Sequence, residues 1–183
     1  PELLPEDGFA LTELRLREPA QPPIRANEFR ETMASMAATV SVVTTAHAHE
    51  NIGRTVTAAL SLSINPPSVL ISIDIASRLA DMILMSRGFS MAMLAQGQDD
   101  VGDAFAGKAG MGDRFTYGQW DAWPSGNPML LGAVAALDCE LVGSIETGDH
   151  VLFAGAIVQS ALTPALEPLL WHRHHYRRLT DPA

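Results

Sequence analysis

The chain has 183 residues, 47% of them hydrophobic and 18% charged, which suits one globular domain with a sizeable core and excludes disordered and collagen-like architectures. Twelve Lys and Arg against 21 Asp and Glu give a net charge of −9, so a nucleic-acid backbone would meet repulsion and is excluded as a partner. No window approaches the roughly 18 to 20 consecutive apolar residues of a membrane-spanning helix, which predicts a soluble, cytoplasmic protein with no membrane partner.

Residues 1–26 carry Pro1, Pro5, Pro19, Pro22 and Pro23 among clustered acids and read as an N-terminal extension, with a short helix around Leu11 to Leu16. The domain proper is expected over 27–183. Asn27 offers a cap, Glu28 and Glu31 suit a first turn, and Phe29, Met33 and Met36 recur at helical spacing, which predicts an amphipathic helix. Thr39 to Ala46 is β-branched and reads as a strand that turns at HAHENIG into a second strand, Arg54 to Ser63. Asn65-Pro66-Pro67 interrupts the ladder before a third strand, Val69 to Asp74.

Ser77 is placed to cap a helix carrying Leu79, Met82 and Ile83, ended by Gly88, after which Phe89 to Ala95 resumes as a strand. Asp99 to Phe105 reads as a short helix. Gly107 to Pro128 is glycine-rich and loop-like, although Trp120 and Trp123 imply that it packs on something, a subunit contact included. Two long strands, Ala133 to Ile145 and His150 to Leu162, flank a tight turn at Glu146-Thr147-Gly148-Asp149, and Leu169 to Leu179 closes the chain. Many short-spaced strands with brief helices predict a mainly β fold, a closed antiparallel split barrel with short flanking helices.

Cys139 stands alone, so no intrachain disulfide or cysteine zinc site is available, and its setting in ALDCELV reads as a buried strand thiol. GKAGMG follows a helical pattern and opens no helix, which argues against a dinucleotide fingerprint; neither a P-loop nor a GxSxG elbow occurs. His172, His174 and His175 suggest a metal cluster, but on one strand His172 and His174 would face away from His175, and no metal site is expected. Thr55, Thr57, Ser61 and Ser63 alternate along one predicted strand, and Ser77-Arg78 opens a helix, a ready anion site. His150 follows the Gly148-Asp149 turn at the mouth of a hairpin.

Taken in order, FRETMASMAATVSVVTT, GRTVTAALSLSINPPSVLISID, FAG, GDHVLFAGAI and PLLWHRHHYRRL resemble the short-chain flavin reductases with an FMN-binding split barrel, over roughly residues 29–179. The resemblance implies NAD(P)H-dependent reduction of FMN or FAD, transfer of reduced flavin to a separate monooxygenase component, and a homodimer. By position it puts Arg54, Thr55, Val56, Thr57 and Ala58 along the flavin, Ser61, Leu62, Ser63, Ser77 and Arg78 towards its phosphate, and Phe105 and Gly107 beside it. His150 would meet the nicotinamide, with Tyr176 near that pocket. Arg54, Ala59 and Leu60 depart from the family pattern. The competing readings are a non-catalytic flavin- or haem-binding split barrel and a metal-dependent enzyme built on the three histidines.

Overall fold

β-Branched and alternating segments supply the strands of this protein, and a computed structural model describes residues 12–13 and 18–179. In chain order the elements are β1 (Thr12–Glu13), α1 (Ala26–Ala34), β2 (Ala38–Thr39), β3 (Ser41–His47), β4 (Glu50–Val56), β5 (Ala59–Ile64), β6 (Pro67–Asp74) and α2 (Arg78–Ser86). There follow β7 (Gly88–Met93), α3 (Asp99–Asp103), β8 (Trp120–Ala122), β9 (Pro128–Leu130), β10 (Ala135–Glu146), β11 (His150–Leu162), β12 (Leu170–His172) and β13 (His175–Arg177). A π-type turn, Ala104–Lys108, continues α3, and a 3-10 turn follows at Met111–Thr116.

The main sheet runs β4-β3-β7-β10-β11-β6-β5, all its neighbours antiparallel, with β1 added parallel to the end of β10. Its two end strands, β4 and β5, are separated in sequence only by Thr57 and Ala58. Laid flat, seven strands would hold those edges about 29 Å apart. Three residue steps from Val56 to Ala59 reach about 11 Å at most. The sheet must therefore curl, bringing its edges together at one seam. No ladder joins β4 to β5 among the described residues, so the hydrogen-bonded path stays open where closure was expected.

Inside the curl lies one core, with Val43, Ile52, Ile71, Ile73, Phe89, Met91, Phe153 and the α2 residues Leu79 and Ile83. Outside it, Val42, Ala92, Leu94, Val101, Phe105, Trp123 and Leu169 form a second. Val42 and Val43, like Ala92 and Met91, serve opposite faces, which explains why these strands are apolar in near-continuous runs.

Several expectations change. Arg54 to Ser63 is two strands, because the chain leaves one sheet edge and joins the other at Thr57-Ala58. The helix after Asn27 forms, but Arg25 occupies the cap position and Phe29, Met33 and Met36 remain exposed, since nothing among the described residues covers that face. Arg87, at φ 63°, ends α2 in place of Gly88, which already pairs with Glu140 as the first residue of β7. Glycine-rich residues 107–128 are ordered by rings: Phe105, Phe115 and Trp120 stack at 4.9 to 5.4 Å. Trp123 is buried and donates from Nε1 to Ser90 Oγ at 2.9 Å, so this tryptophan packs into the core of its own chain. Of the helix expected at Leu11 to Leu16, Thr12–Glu13 is strand instead, pairing with Ile145 and Glu146, and the other residues lie outside those described.

Cys139 is 2% exposed in β10, and burial, with the nearby charge of Asp138, pushes its thiol up to about 12. A raised folded value means that its contribution to stability is complete below the ordinary 9.0 and fades as pH climbs towards about 12. Iodoacetamide at pH about 8 should leave the native thiol unmodified and alkylate the urea-unfolded chain; equal rates in both states would contradict this packing.

Candidate functional site

The seam is also where the candidate residues converge. Arg54, Thr55, Val56, Thr57 and Ala58 line a cleft of about 200 Å³ together with Ser72, Asp74 and His150. Two features bring His150 there: the turn that opens β11, where Thr147 N–H donates to its carbonyl at 2.8 Å, and its register opposite Asp74. Its Nδ1 lies 2.9 Å from Asp149 Oδ1. A carboxylate only accepts, so Nδ1 carries the hydrogen and Nε2 is left for a ligand. The same bond from His150, the first of several causes, holds the Asp149 carboxyl below its ordinary value.

A second cleft of about 250 Å³ adjoins the first at Arg54 and contains Ser77, Arg78, Phe105 and Gly107. Ser77 caps α2 by accepting from Leu79 N–H at 3.1 Å, and Arg78 is ion-paired with Glu50. Phe105 is fully buried and walls the cleft from behind, while Gly107, at φ 103°, turns the chain as only glycine does readily. Arg114 is the member that sequence reading did not single out. Its Nη1 donates to the Gly53 carbonyl at 2.9 Å, its Nε is buried without a partner, and burial followed by the charge of Arg54 lowers its pKa. Nothing in GMGDRFTYG marks that arginine as a site residue; only the fold of the loop onto β4 does.

A third cleft, of about 210 Å³, shares Ile52, Gly53, Met111 and Arg114 with the second and extends to Asn51 and Phe115. Successive clefts along β4 thus share lining residues, Arg54 between the first two and Gly53 and Arg114 between the last two.

Other candidates fall elsewhere. Ser61, Leu62 and Ser63 lie on exposed β5, where a register shift at Leu62 breaks their alternation and Ser63 Oγ turns to Asn65; they line none of these clefts, and the four hydroxyls do not share a face. Tyr176 is half-buried behind α3, where its hydroxyl donates to Asp103 Oδ1 at 2.7 Å. Burial and then Asp103 raise its pKa. Burial also pushes up Asp103, but hydrogen bonds from Lys108 and Tyr176 outweigh that and leave it lowered. Thr55 Oγ1 donates to Gly102 O at 2.7 Å, so α3 connects the C-terminal hairpin to the cleft strand. His172 and His175 face one another across that hairpin, with His174 in its turn, so the three do not share one strand. Among the described residues no group of three or more His, Cys, Asp or Glu could hold a metal ion. A larger cleft, about 600 Å³, lies around Arg87, Asn127 and Asp138, away from all of these; Asp138 there accepts from Ser125 and Asn127.

A family profile described as flavin reductase like domain matches residues 33–180. The reductase component of the FADH(2)-dependent resorcinol hydroxylase of a Rhizobium species is 34% identical over 150 residues, 81% of this chain and 84% of that one. An FMN reductase (NADH), RutF, of Methylorubrum extorquens is 31% identical over 88% of this chain and 79% of its own. The solved NADH:FAD oxidoreductase of Streptomyces globisporus superposes with a TM-score of 0.81 at 28% identity, covering 92% of this chain and 96% of that one.

Tyr176→Phe should cost about 1.5 to 3 kcal/mol at neutral pH, the worth of one hydrogen bond to a charged acceptor. With a raised folded pKa, the tyrosine stabilises fully below its ordinary 10.0 and loses that contribution as pH rises beyond it. Urea midpoints at neutral and alkaline pH should therefore converge between the two proteins as pH rises; a constant gap would contradict the assignment.

Proposed function

The chain belongs to the flavin reductase like domain family, and from that membership we propose that it is an NAD(P)H:flavin oxidoreductase acting on FMN or FAD. The observation that carries this reading is the convergence of Thr55 to Ala58 and His150, far apart in sequence, on one cleft at the sheet seam. The donor set fits a flavin. Thr57 and Ala58 belong to neither flanking strand, which leaves their N–H groups for a polar ring edge, and Arg54 with the α2 N-terminus suits the phosphate end. Nicotinamide and flavin supply the chemistry between them, a hydride passing from one ring to the other.

The chain's own residues orient and stabilise. N–H groups of the Thr57-Ala58 link would offset negative charge that builds on the reduced ring. His150, its tautomer set by Asp149, presents Nε2 as an acceptor for the nicotinamide carboxamide and takes no proton in the transfer. Ser61 to Ser63 and Tyr176, which this chain alone leaves off the clefts, would contribute through a second subunit or by positioning α3.

Homodimerisation is supported by edge strand β5, where Leu60, Leu62 and Ile64 are 55%, 46% and 90% exposed. The curled open sheet is then the split barrel, with its seam at the flavin. A matched profile that starts at residue 33 supports a domain over 27–183 preceded by an extension over 1–26. Reduced flavin would pass to a separate oxygenase component, as the name of the Rhizobium relative implies for that protein. Use of NAD(P)H fits the cytoplasm, and no helix among the described residues is long and apolar enough to cross a membrane.

Flavin-dependent oxidation of NADH or NADPH by the purified chain tests the proposal; binding without turnover would leave a non-catalytic flavin protein. His150→Ala should raise KM for the nicotinamide nucleotide and lower kcat/KM by about ten- to a hundredfold, roughly 1.4 to 2.7 kcal/mol. Flavin affinity should hold. Unchanged kinetics would remove His150 from the site.

A further inference from the structure

Taking the flavin-reductase reading as given, we infer that Asp103 is a positioning residue: its carboxylate, shared between Tyr176 and Lys108, sets the walls of the first and second clefts relative to one another. Asp103 lines neither cleft itself. It stands where α3 passes into the π-type turn, and each of its oxygens takes one bond. The Tyr176 hydroxyl donates to Oδ1 at 2.7 Å, and the Lys108 ammonium donates to Oδ2 at 2.7 Å.

One arm runs to the first cleft. Tyr176 rests on Gly102, where an added Cβ would stand 2.7 Å from the phenolic oxygen and 3.4 Å from Leu94 Cδ1, so glycine is what lets the hydroxyl reach the neighbouring carboxylate. The carbonyl of that same Gly102 accepts the Thr55 hydroxyl at 2.7 Å, and Thr55 lines the first cleft. Trp171 braces the phenol, its ring nearly edge-on at 5.0 Å between centroids. Gly102 and Asp103 are consecutive, so the backbone that meets Tyr176 is also the backbone that holds Thr55.

The other arm runs to the second cleft. Asp103 and Lys108 bracket the π-type turn, and their bridge closes a loop over Phe105, Ala106 and Gly107, all of which line that cleft. Gly107, at φ 103°, has little conformational preference of its own, and the bridge fixes what glycine leaves free. The Lys108 and Asp103 side chains are 69% and 34% exposed, and a pair that open to solvent adds little to stability. Breaking it therefore probes geometry in a protein that stays folded.

Charge and position predict opposite signs for Asp103→Asn. The substitution removes a negative charge near the cleft that receives the phosphate, which by charge alone tightens FMN. An amide also offers one acceptor oxygen where two donors converge, which by position weakens it.

Equilibrium dialysis of the full chain against FMN and riboflavin separates the two, with urea midpoints to show that each variant is folded. Asp103→Asn should weaken FMN about five- to tenfold, the scale of one coupled contact. Lys108→Met should do the same and leave riboflavin within about twofold, because riboflavin has no phosphate for the second cleft, whereas Lys108→Arg keeps the bridge and should restore FMN. Asp103→Asn combined with Lys108→Met should lose no more FMN affinity than either alone. Gly102→Ala displaces the first arm and should weaken both flavins alike. FMN binding that is unchanged or tighter in Asp103→Asn, losses that add in the double variant, or a folded Gly102→Ala that spares riboflavin would overturn the inference and leave the flavin reading intact. A wild-type chain that binds neither flavin would overturn both.

Discussion

The molecule depends on one geometric constraint: two residues, Thr57 and Ala58, connect strands at opposite edges of a seven-strand path. A link that short cannot cross a flat sheet, so the sheet curls, one face becomes an enclosed core and the edges meet. The link itself is left outside both strands. Backbone polar groups that the ladder does not use are costly to bury and valuable to a ligand, so the feature that shapes the fold also makes the site.

The electrostatics follow from position more than from composition. A chain of net charge −9 is a poor general host for phosphates, yet Arg54, Arg78 and Arg114 gather on one groove. Glu50 tempers Arg78 and leaves the other two for an anion. Burying a guanidinium and setting a like charge beside it both cost stability, and burial first, then Arg54, lowers the pKa of Arg114, as expected where binding and folding make different demands.

Elements remote from the seam are connected to it through α3. Its Gly102 carbonyl takes the Thr55 hydroxyl, its Asp103 takes Tyr176 and Lys108, and the π-type turn after it seats Phe105 in the outer core and exposes Gly107 to the groove. Tyr176 thereby supports the site at second hand: it fixes the segment that fixes the wall. Leu60, Leu62 and Ile64 leave an apolar flank of the seam exposed on β5.

The sequence by itself determined most elements and the family. β-Branched runs, the Ser77 cap and the Gly148 turn are local signals, each decided by backbone sterics and neighbouring hydrogen bonds, and each appears where those signals put it, while the proline break is confined to Asn65-Pro66 because Pro67 already pairs with Ile64. Tertiary structure alone decided the rest. Arg54 to Ser63 has the propensity of one strand, and only sheet closure at the seam splits it. Phe29, Met33 and Met36 have the spacing of a buried face, but spacing does not say whether a partner in the same chain will cover it. Arg114 joins the groove because ring stacking folds residues 107–128 onto β4, a contact between distant segments that no local pattern encodes.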